Sequence, residues 1–165
     1  MNDEKKQAFI RMHDRMVRHR TLLKVVNLVT TGAVYVAYPA FLIWLFFNDR
    51  SYLPASIIVP GTGFILLSVI RYFINAPRPY EVYDTPPVIS KETKGKSFPS
   101  RHVFCIFIIA VTIGVYQPVA GVVIGIMGVI LAAVRVLCGI HFLIDVVVGG
   151  ISAIIYSVLL FVLIF

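Results

Sequence analysis

The sequence predicts an all-α integral membrane protein: a helical bundle with about five transmembrane helices and an N-terminal amphipathic interfacial helix. Of its 165 residues, 59% are hydrophobic and only 14% are charged, and the mean hydropathy is +0.89. A soluble domain of this length would not be so apolar. The apolar residues also fall into five runs, each near the ~20 residues that a helix needs to cross a bilayer. Basic residues are concentrated before the first run and between the second and third.

Each apolar run is predicted to form one helix. The predicted bounds are Val25–Phe47, Leu53–Asn75, Ser100–Tyr116, Pro118–Leu137 and Phe142–Phe165. The third run is the shortest, and a short helix would let its N-terminal end lie below the lipid headgroups. The segment Ala76–Pro99 contains five prolines, which block a continuous helix, so it is predicted to be a loop.

The N-terminal segment, residues 1–24, is predicted to be separate from a single transmembrane domain at residues 25–165. It contains seven basic and three acidic side chains, and Ala8, Phe9, Met12 and Met16 recur near helical spacing. This pattern predicts a basic amphipathic helix on the membrane surface. The alternative is a disordered basic tail that only helps to set topology. In so apolar a chain, anionic membrane lipids are a better partner than nucleic acid.

Beyond the N-terminal segment, five charged side chains and two histidines belong to three short groups at the ends of apolar runs. The groups are Arg71-x6-Arg78-Pro79, Pro99-Ser100-Arg101-His102 and Arg135-x5-His141-x3-Asp145. Ionisable residues at such positions are costly and usually mark function. In an up-and-down bundle of five helices, all three places lie on the same membrane face. The charged groups are therefore predicted to converge.

The residue types in these groups suit phosphate chemistry. Arginine makes paired hydrogen bonds to phosphate oxygens and keeps its charge, although Arg71 alone could be a snorkelling anchor. Ser100 is placed to cap a helix whose N-terminus also attracts anions. His141 and Asp145 share a helical face, so the carboxylate can hold one ring nitrogen while the other attacks phosphorus. A merely structural hydrogen bond is the alternative for this pair.

His102, at the start of the third predicted helix, is a candidate general acid, because its pKa range suits proton transfer near neutrality. A zinc site formed by His102, His141 and Asp145 is the competing interpretation. It is less favoured because three nearby arginines would repel a divalent cation.

The three groups together resemble the motifs of the type-2 phosphatidic acid phosphatase superfamily of membrane lipid phosphatases. That family's pattern is Lys-x6-Arg-Pro, then Pro-Ser-Gly-His, then Ser-Arg-x5-His-x3-Asp, and the resemblance covers about residues 53–160. The spacings and the order match. Three positions depart from the pattern: Arg71 replaces lysine, Arg101 replaces glycine and Val134 replaces serine. We expect Arg101 to contact a second phosphate or a headgroup.

The resemblance implies a metal-independent phosphatase with no cofactor. His141 would form a phosphohistidine, oriented by Asp145, and His102 would protonate the leaving group. The implied phosphate-binding residues are Arg71, Arg78, Ser100 and Arg135, with Arg101 beside them. Expected substrates are phosphatidic acid, phosphatidylglycerol phosphate or a polyprenyl diphosphate.

Two other functions stay open at this point, a catalytically silent protein that binds lipid phosphates and a transporter or channel for anions. The short loops suggest a prokaryotic plasma membrane. The basic N-terminal segment favours a cytoplasmic site under the positive-inside rule, whereas many relatives carry the site on the extracytoplasmic face. The oligomeric state is not predicted.

Overall fold

The computed structural model describes residues 3–90 and 93–164, which form seven helices and, within these ranges, no strand. The helices are α1 (Asp3–Val17), α2 (Arg20–Asn48), α3 (Leu53–Ile74), α4 (Pro79–Val82), α5 (Arg101–Tyr116), α6 (Pro118–Leu137) and α7 (Leu143–Ile164). The five long apolar helices are confirmed, with bounds within two residues of those predicted except at the start of α2. That helix begins at Arg20, five residues before the predicted Val25, so basic side chains form its first turns. The single turn α4 lies inside the segment that was predicted to be a loop.

The chain is an integral membrane protein. Four helical segments, which contain α2, α3, α6 and α7, are long and apolar enough to cross a membrane. The fifth apolar helix, α5, has only 16 residues, and it packs against all four of the others. Buried side chains such as Val103, Ile106 and Thr112 lie along most of its length. A short helix is tolerated here because its neighbours, rather than lipid, surround it.

Close contact between helices fixes the two ends of α5. At its start, a Cβ on Gly149 of α7 would lie 2.8 Å from the carbonyl oxygen of Ser100. At its other end, Gly121 of α6 packs directly on the backbone of Gly114. Side chains at either contact would push the helices apart. The first contact holds the start of α5 beside the first turns of α7.

The N-terminal segment is helical, as predicted, over Asp3–Val17. Phe9, Met12 and Met16 lie on its partly buried face, while Arg11 and Arg15 are exposed. Helix α1 packs against α6, at the end of the bundle where the Ala76–Pro99 segment lies.

Candidate active site

The three charged groups converge at one end of the bundle. Each is placed by the end of a helix: α3 and the following loop carry the first, the start of α5 the second, and the α6–α7 connection the third. The buried members are Arg71, Arg78, Ser100, Arg135, His141 and Asp145, of which none is more than 6% exposed. Burial of so many ionisable side chains at one place is costly unless they are paired or functional.

His141 and Asp145 form the centre of the site. The His141 Nδ1 lies 3.4 Å from Asp145 Oδ2. The same carboxylate oxygen accepts a hydrogen bond from the backbone N–H of Phe142 at 2.9 Å and one from the Ser97 hydroxyl at 2.6 Å. An oxygen that already accepts two hydrogen bonds is well fixed in place. It therefore favours the ring tautomer with a proton on Nδ1, which leaves the lone pair on Nε2.

Ser97 is a site residue that the sequence analysis missed. Its side chain is fully buried, and its Oγ lies 3.3 Å from His141 Nδ1 as well as 2.6 Å from Asp145 Oδ2. Because its hydroxyl donates to the carboxylate, its lone pairs are available to the histidine N–H. Its place in a proline-rich loop gave no signal, since serine is common in loops. The only sequence feature that pointed to a role in the site was its position three residues before Ser100.

Arg71 and Arg78 bind backbone carbonyl groups rather than side chains. Arg71 donates to the carbonyl oxygens of Lys96, Ser97 and Pro99. Arg78 donates to Gly95 at 3.0 Å and to Lys96 at 3.3 Å, and also to Ile140 of the α6–α7 connection at 3.2 Å. The two guanidinium groups thus hold the 95–99 segment in the shape that aims Ser97 at Asp145.

Glu81 places a negative charge near the Arg78 guanidinium. The Glu81 carboxylate also accepts hydrogen bonds from the backbone N–H groups of Arg78 and Gly95, at 2.8 and 2.9 Å. The guanidinium stays positively charged because arginine has so high an intrinsic pKa.

Two predicted phosphate-binding residues carry buried polar atoms that lack a hydrogen-bond partner, namely Ser100 Oγ and Arg135 Nε. Ser100 does occupy the N-cap position of α5, but its hydroxyl makes no capping hydrogen bond, so that part of the prediction was wrong. Its backbone N–H instead donates to the Asp145 carbonyl oxygen at 2.8 Å. Arg135 is next to the nucleophile candidate, since its carbonyl accepts the His141 N–H at 3.3 Å. The Ser100 hydroxyl and the Arg135 Nε–H are both hydrogen-bond donors, so they are able to bind phosphate oxygens.

Arg101 and His102 are placed differently from the other predicted residues. Both line a cavity of about 320 Å³ between α2, α3, α5 and α6, whose walls are mainly apolar. Arg101 is exposed, and its guanidinium lies 5.6 Å from the centre of the Phe64 ring. His102 is partly buried on the same side of α5.

His141 is uncharged at neutral pH. Burial lowers the pKa of its ring to about 4, more strongly than the hydrogen bond to Asp145 raises it. A neutral imidazole keeps a lone pair for attack on phosphorus. Among residues 3–90 and 93–164, no three histidine, cysteine or carboxylate side chains lie close enough to hold a metal ion. The trio proposed for zinc, His102, His141 and Asp145, is therefore not assembled as a metal site.

The geometry agrees with a comparison of the whole chain with known proteins. A model of the PAP2 superfamily matches residues 51–165. The chain belongs to the PAP2 superfamily. This confirms the family that the three motifs predicted and the class of activity, a phosphoric ester hydrolase.

Two solved structures share this fold. The crystal structure of Aquifex aeolicus LpxE is 22% identical, with a TM-score of 0.72 over 94% of this chain and 93% of that one. The PAP2-type phosphatidylglycerolphosphate phosphatase from Bacillus subtilis is 18% identical, with a TM-score of 0.70 over 98% of this chain and 87% of that one. No curated protein sequence gives a significant match.

Proposed function

We propose that this protein is a metal-independent lipid phosphate or diphosphate phosphatase that acts through a phosphohistidine intermediate on His141. One observation carries the proposal. His141 is neutral and buried, its Nδ1 lies beside a fixed carboxylate and a serine hydroxyl, and the positive charges of Arg78 and Arg135 act on it. That arrangement leaves Nε2 as the nucleophilic atom and supplies positive charge for phosphate oxygens.

In the first step, Nε2 of His141 attacks phosphorus and the bond from phosphorus to the leaving oxygen breaks. His102 gives its proton to that oxygen, which departs as a lipid alcohol or a lipid monophosphate. The ring of His141 then carries a positive charge. Asp145 Oδ2, 3.4 Å from Nδ1, stabilises that charge.

In the second step, water attacks the phosphohistidine and the P–N bond breaks. His102, now neutral, takes a proton from the water, so inorganic phosphate leaves and both histidines return to their starting states. Arg135 Nε and Ser100 Oγ, which have no partner in the structure, would bind phosphoryl oxygens during both steps. Arg71 and Arg78 would add positive charge while they hold the 95–99 segment.

The proposed substrate is a lipid with a terminal phosphate. The Bacillus subtilis relative is named for its action on phosphatidylglycerolphosphate, and phosphatidic acid or a polyprenyl diphosphate would suit the same groups. The apolar cavity beside His102 would hold the part of the lipid next to the leaving oxygen. The exposed Arg101 would bind a second phosphate or a headgroup. A prokaryotic plasma membrane is the proposed location.

The test is phosphate release by purified protein in detergent, with EDTA present, from phosphatidic acid, phosphatidylglycerol phosphate and undecaprenyl diphosphate. We expect release that survives EDTA in the wild type and disappears in His141→Ala. A phosphohistidine trapped in the wild type should be detectable as acid-labile protein-bound phosphate. Release that EDTA abolishes would exclude the metal-independent mechanism. If no lipid is hydrolysed but phosphate still binds, the protein is a silent lipid-phosphate-binding protein.

The same panel tests Arg101. An Arg101→Gly variant, which restores the glycine of the family motif, should lose preference for the diphosphate over the monophosphates. An unchanged ranking of substrates would exclude a role for Arg101 in that choice.

A further inference from the structure

We propose that helix α1 is a positioning element for the active site, held in place by anionic lipids. Its basic face binds lipid headgroups, and Phe9 on its other face keeps the α6–α7 connection, residues 138–142, in the conformation that binds phosphate. The inference rests on the proposed function only in assigning phosphate binding to this site.

Phe9 contacts two chain segments next to the site, the α6–α7 connection and the Ala76–Pro99 segment. Gly139 of the connection has a φ of +69°, and a Cβ built there would lie 2.9 Å from Phe9 Cζ. The Phe9 ring also stacks on Tyr83 of the Ala76–Pro99 segment, with ring centroids 4.7 Å apart. Tyr83 in turn meets Phe142 edge-on at 6.2 Å. The ring of Phe9 is therefore packed into the junction between the two segments.

The connection that Phe9 contacts makes three hydrogen bonds to the site. The Ile140 carbonyl accepts from Arg78 Nη1 at 3.2 Å. The His141 N–H donates to the Arg135 carbonyl at 3.3 Å. The Phe142 N–H donates to Asp145 Oδ2 at 2.9 Å. A shift of this connection would thus move the nucleophile, an arginine and the carboxylate together.

A second apolar contact ties the N-terminal residues to the same connection. Leu23 of α2 is buried with Cys138 and Ile140, and Met16 of α1 packs against this cluster. Gly139 lies between Cys138 and Ile140, so α1 reaches the connection from its middle, through Phe9, and from its C-terminal end, through Met16. Loss of Phe9 would therefore loosen the connection without detaching the whole helix.

The opposite face of α1 is built for an anionic surface. Arg11 and Arg15 are exposed on that face, and Arg18 is exposed just beyond the end of the helix. The nearby carboxylate of Asp14 lies 3.4 Å from His13 rather than from one of these cations. Because the helix precedes a membrane span directly, its exposed cations lie where anionic headgroups are abundant.

The experiment measures the Kd of inorganic phosphate for the full-length protein in two kinds of vesicle. One is phosphatidylcholine alone, and the other is phosphatidylcholine mixed with phosphatidylglycerol. The variants are Phe9→Ala, the conservative Phe9→Tyr and the double variant Arg11→Glu/Arg15→Glu. Val17→Ala is the control for an apolar truncation on α1, and Arg50→Glu is the control for an arginine-to-glutamate change at the far end of the bundle.

In the anionic vesicles, we expect Phe9→Ala and the double variant to bind phosphate about fivefold more weakly than the wild type. Phe9→Tyr and both controls should match the wild type. In phosphatidylcholine alone, the differences should shrink to less than about twofold, because the wild type then lacks the lipid that holds α1. The surface potential of the vesicle acts on all variants alike, so comparison within one vesicle removes it.

The Kd distinguishes positioning from a loss of folded protein, since misfolding lowers the number of binding sites and not the affinity of the remaining ones. Equal Kd values for Phe9→Ala and wild type in anionic vesicles would overturn the proposal. An Arg50→Glu effect equal to that of the double variant would also overturn it. The failure of the proposed function, meaning no lipid hydrolysis by wild type, would leave this binding comparison intact.

Discussion

The two ends of the bundle are built in opposite ways. At the site end, α3 and α5 are joined by a long proline-rich segment, and buried ionisable side chains occupy the space between helices. At the far end, α5 and α6 are separated only by Gln117, and residues 49–52 join α2 to α3. The site end therefore has a long connection that can contribute polar groups to the site, whereas the connections at the far end are short.

Aromatic packing replaces charge at the far end. Tyr116 lies at the centre of a cluster, with ring centroids 5.2 Å from both Trp44 and Tyr52 and 6.5 Å from Phe41. Tyrosine and tryptophan commonly lie at the membrane–water interface, where one edge is apolar and the other wet. The cluster joins α2, α5 and the residue before α3 at the place where the short α5 ends. We therefore expect a substitution at this end to affect stability and one at the other end to affect chemistry.

The largest expected effect is on the site end. Asp145→Asn should lower kcat by about a thousandfold or more, because it removes the charge that stabilises a positively charged His141. The Asn oxygen can still accept the contacts that Oδ2 now receives from Ser97 and Phe142. The thermal midpoint should therefore change little. Steady-state kinetics measures kcat, and thermal unfolding in the same detergent measures the midpoint. A large fall in the midpoint would show that Asp145 acts mainly by stabilising the fold.

This site could be foreseen only in part from the sequence. The five apolar runs predicted the five long helices. The positions of the motifs predicted that Arg71, His141 and Asp145 lie at the ends of these helices. Ser97 could not be foreseen, because its burial depends on how two arginines fold the 95–99 segment through backbone carbonyls. The contact of Phe9 with Gly139 was equally hidden, since no spacing rule joins residues so far apart in the chain.

Ser97→Ala sharpens the comparison within the site end. We expect a loss of about ten- to a hundredfold in kcat/KM, since one hydrogen bond to a charged group is worth about 1.5–3 kcal/mol. Ser90→Ala in the same segment, where the serine is exposed, serves as the control and should match wild type. An unaffected Ser97→Ala enzyme would mean that Asp145 alone orients His141.

The burial of His141 gives a prediction about pH. Its pKa of about 4 in the folded protein lies below the ordinary 6.5, so the unfolded chain binds the proton more readily. This group's contribution to stability is therefore complete above about pH 6.5 and is lost as the pH falls toward 4. At pH 5.5, most His141 rings should still be neutral. The neutral fraction should be about tenfold larger than that of an ordinary histidine at the same pH.

Histidine NMR of the protein in lipid nanodiscs tests this directly. The chain has four histidines. One resonance should not titrate above about pH 5, and it should be missing in His141→Ala. If every resonance titrates near pH 6.5, the site is more open to water than the structure indicates.

The smallest expected effect on chemistry comes from the far end. Tyr116→Ala removes the centre of the aromatic cluster and should lower the free energy of unfolding by about 2–3 kcal/mol. Activity per folded molecule should stay within about twofold of wild type, because the cluster lies at the other end of α5 from Ser100. Val119→Ala, which truncates a side chain that is 79% exposed to the membrane at the same end, is the control and should change neither quantity. A Tyr116→Ala enzyme that is stable but inactive would show that α5 couples its two ends, and the separation of stability from chemistry would then fail.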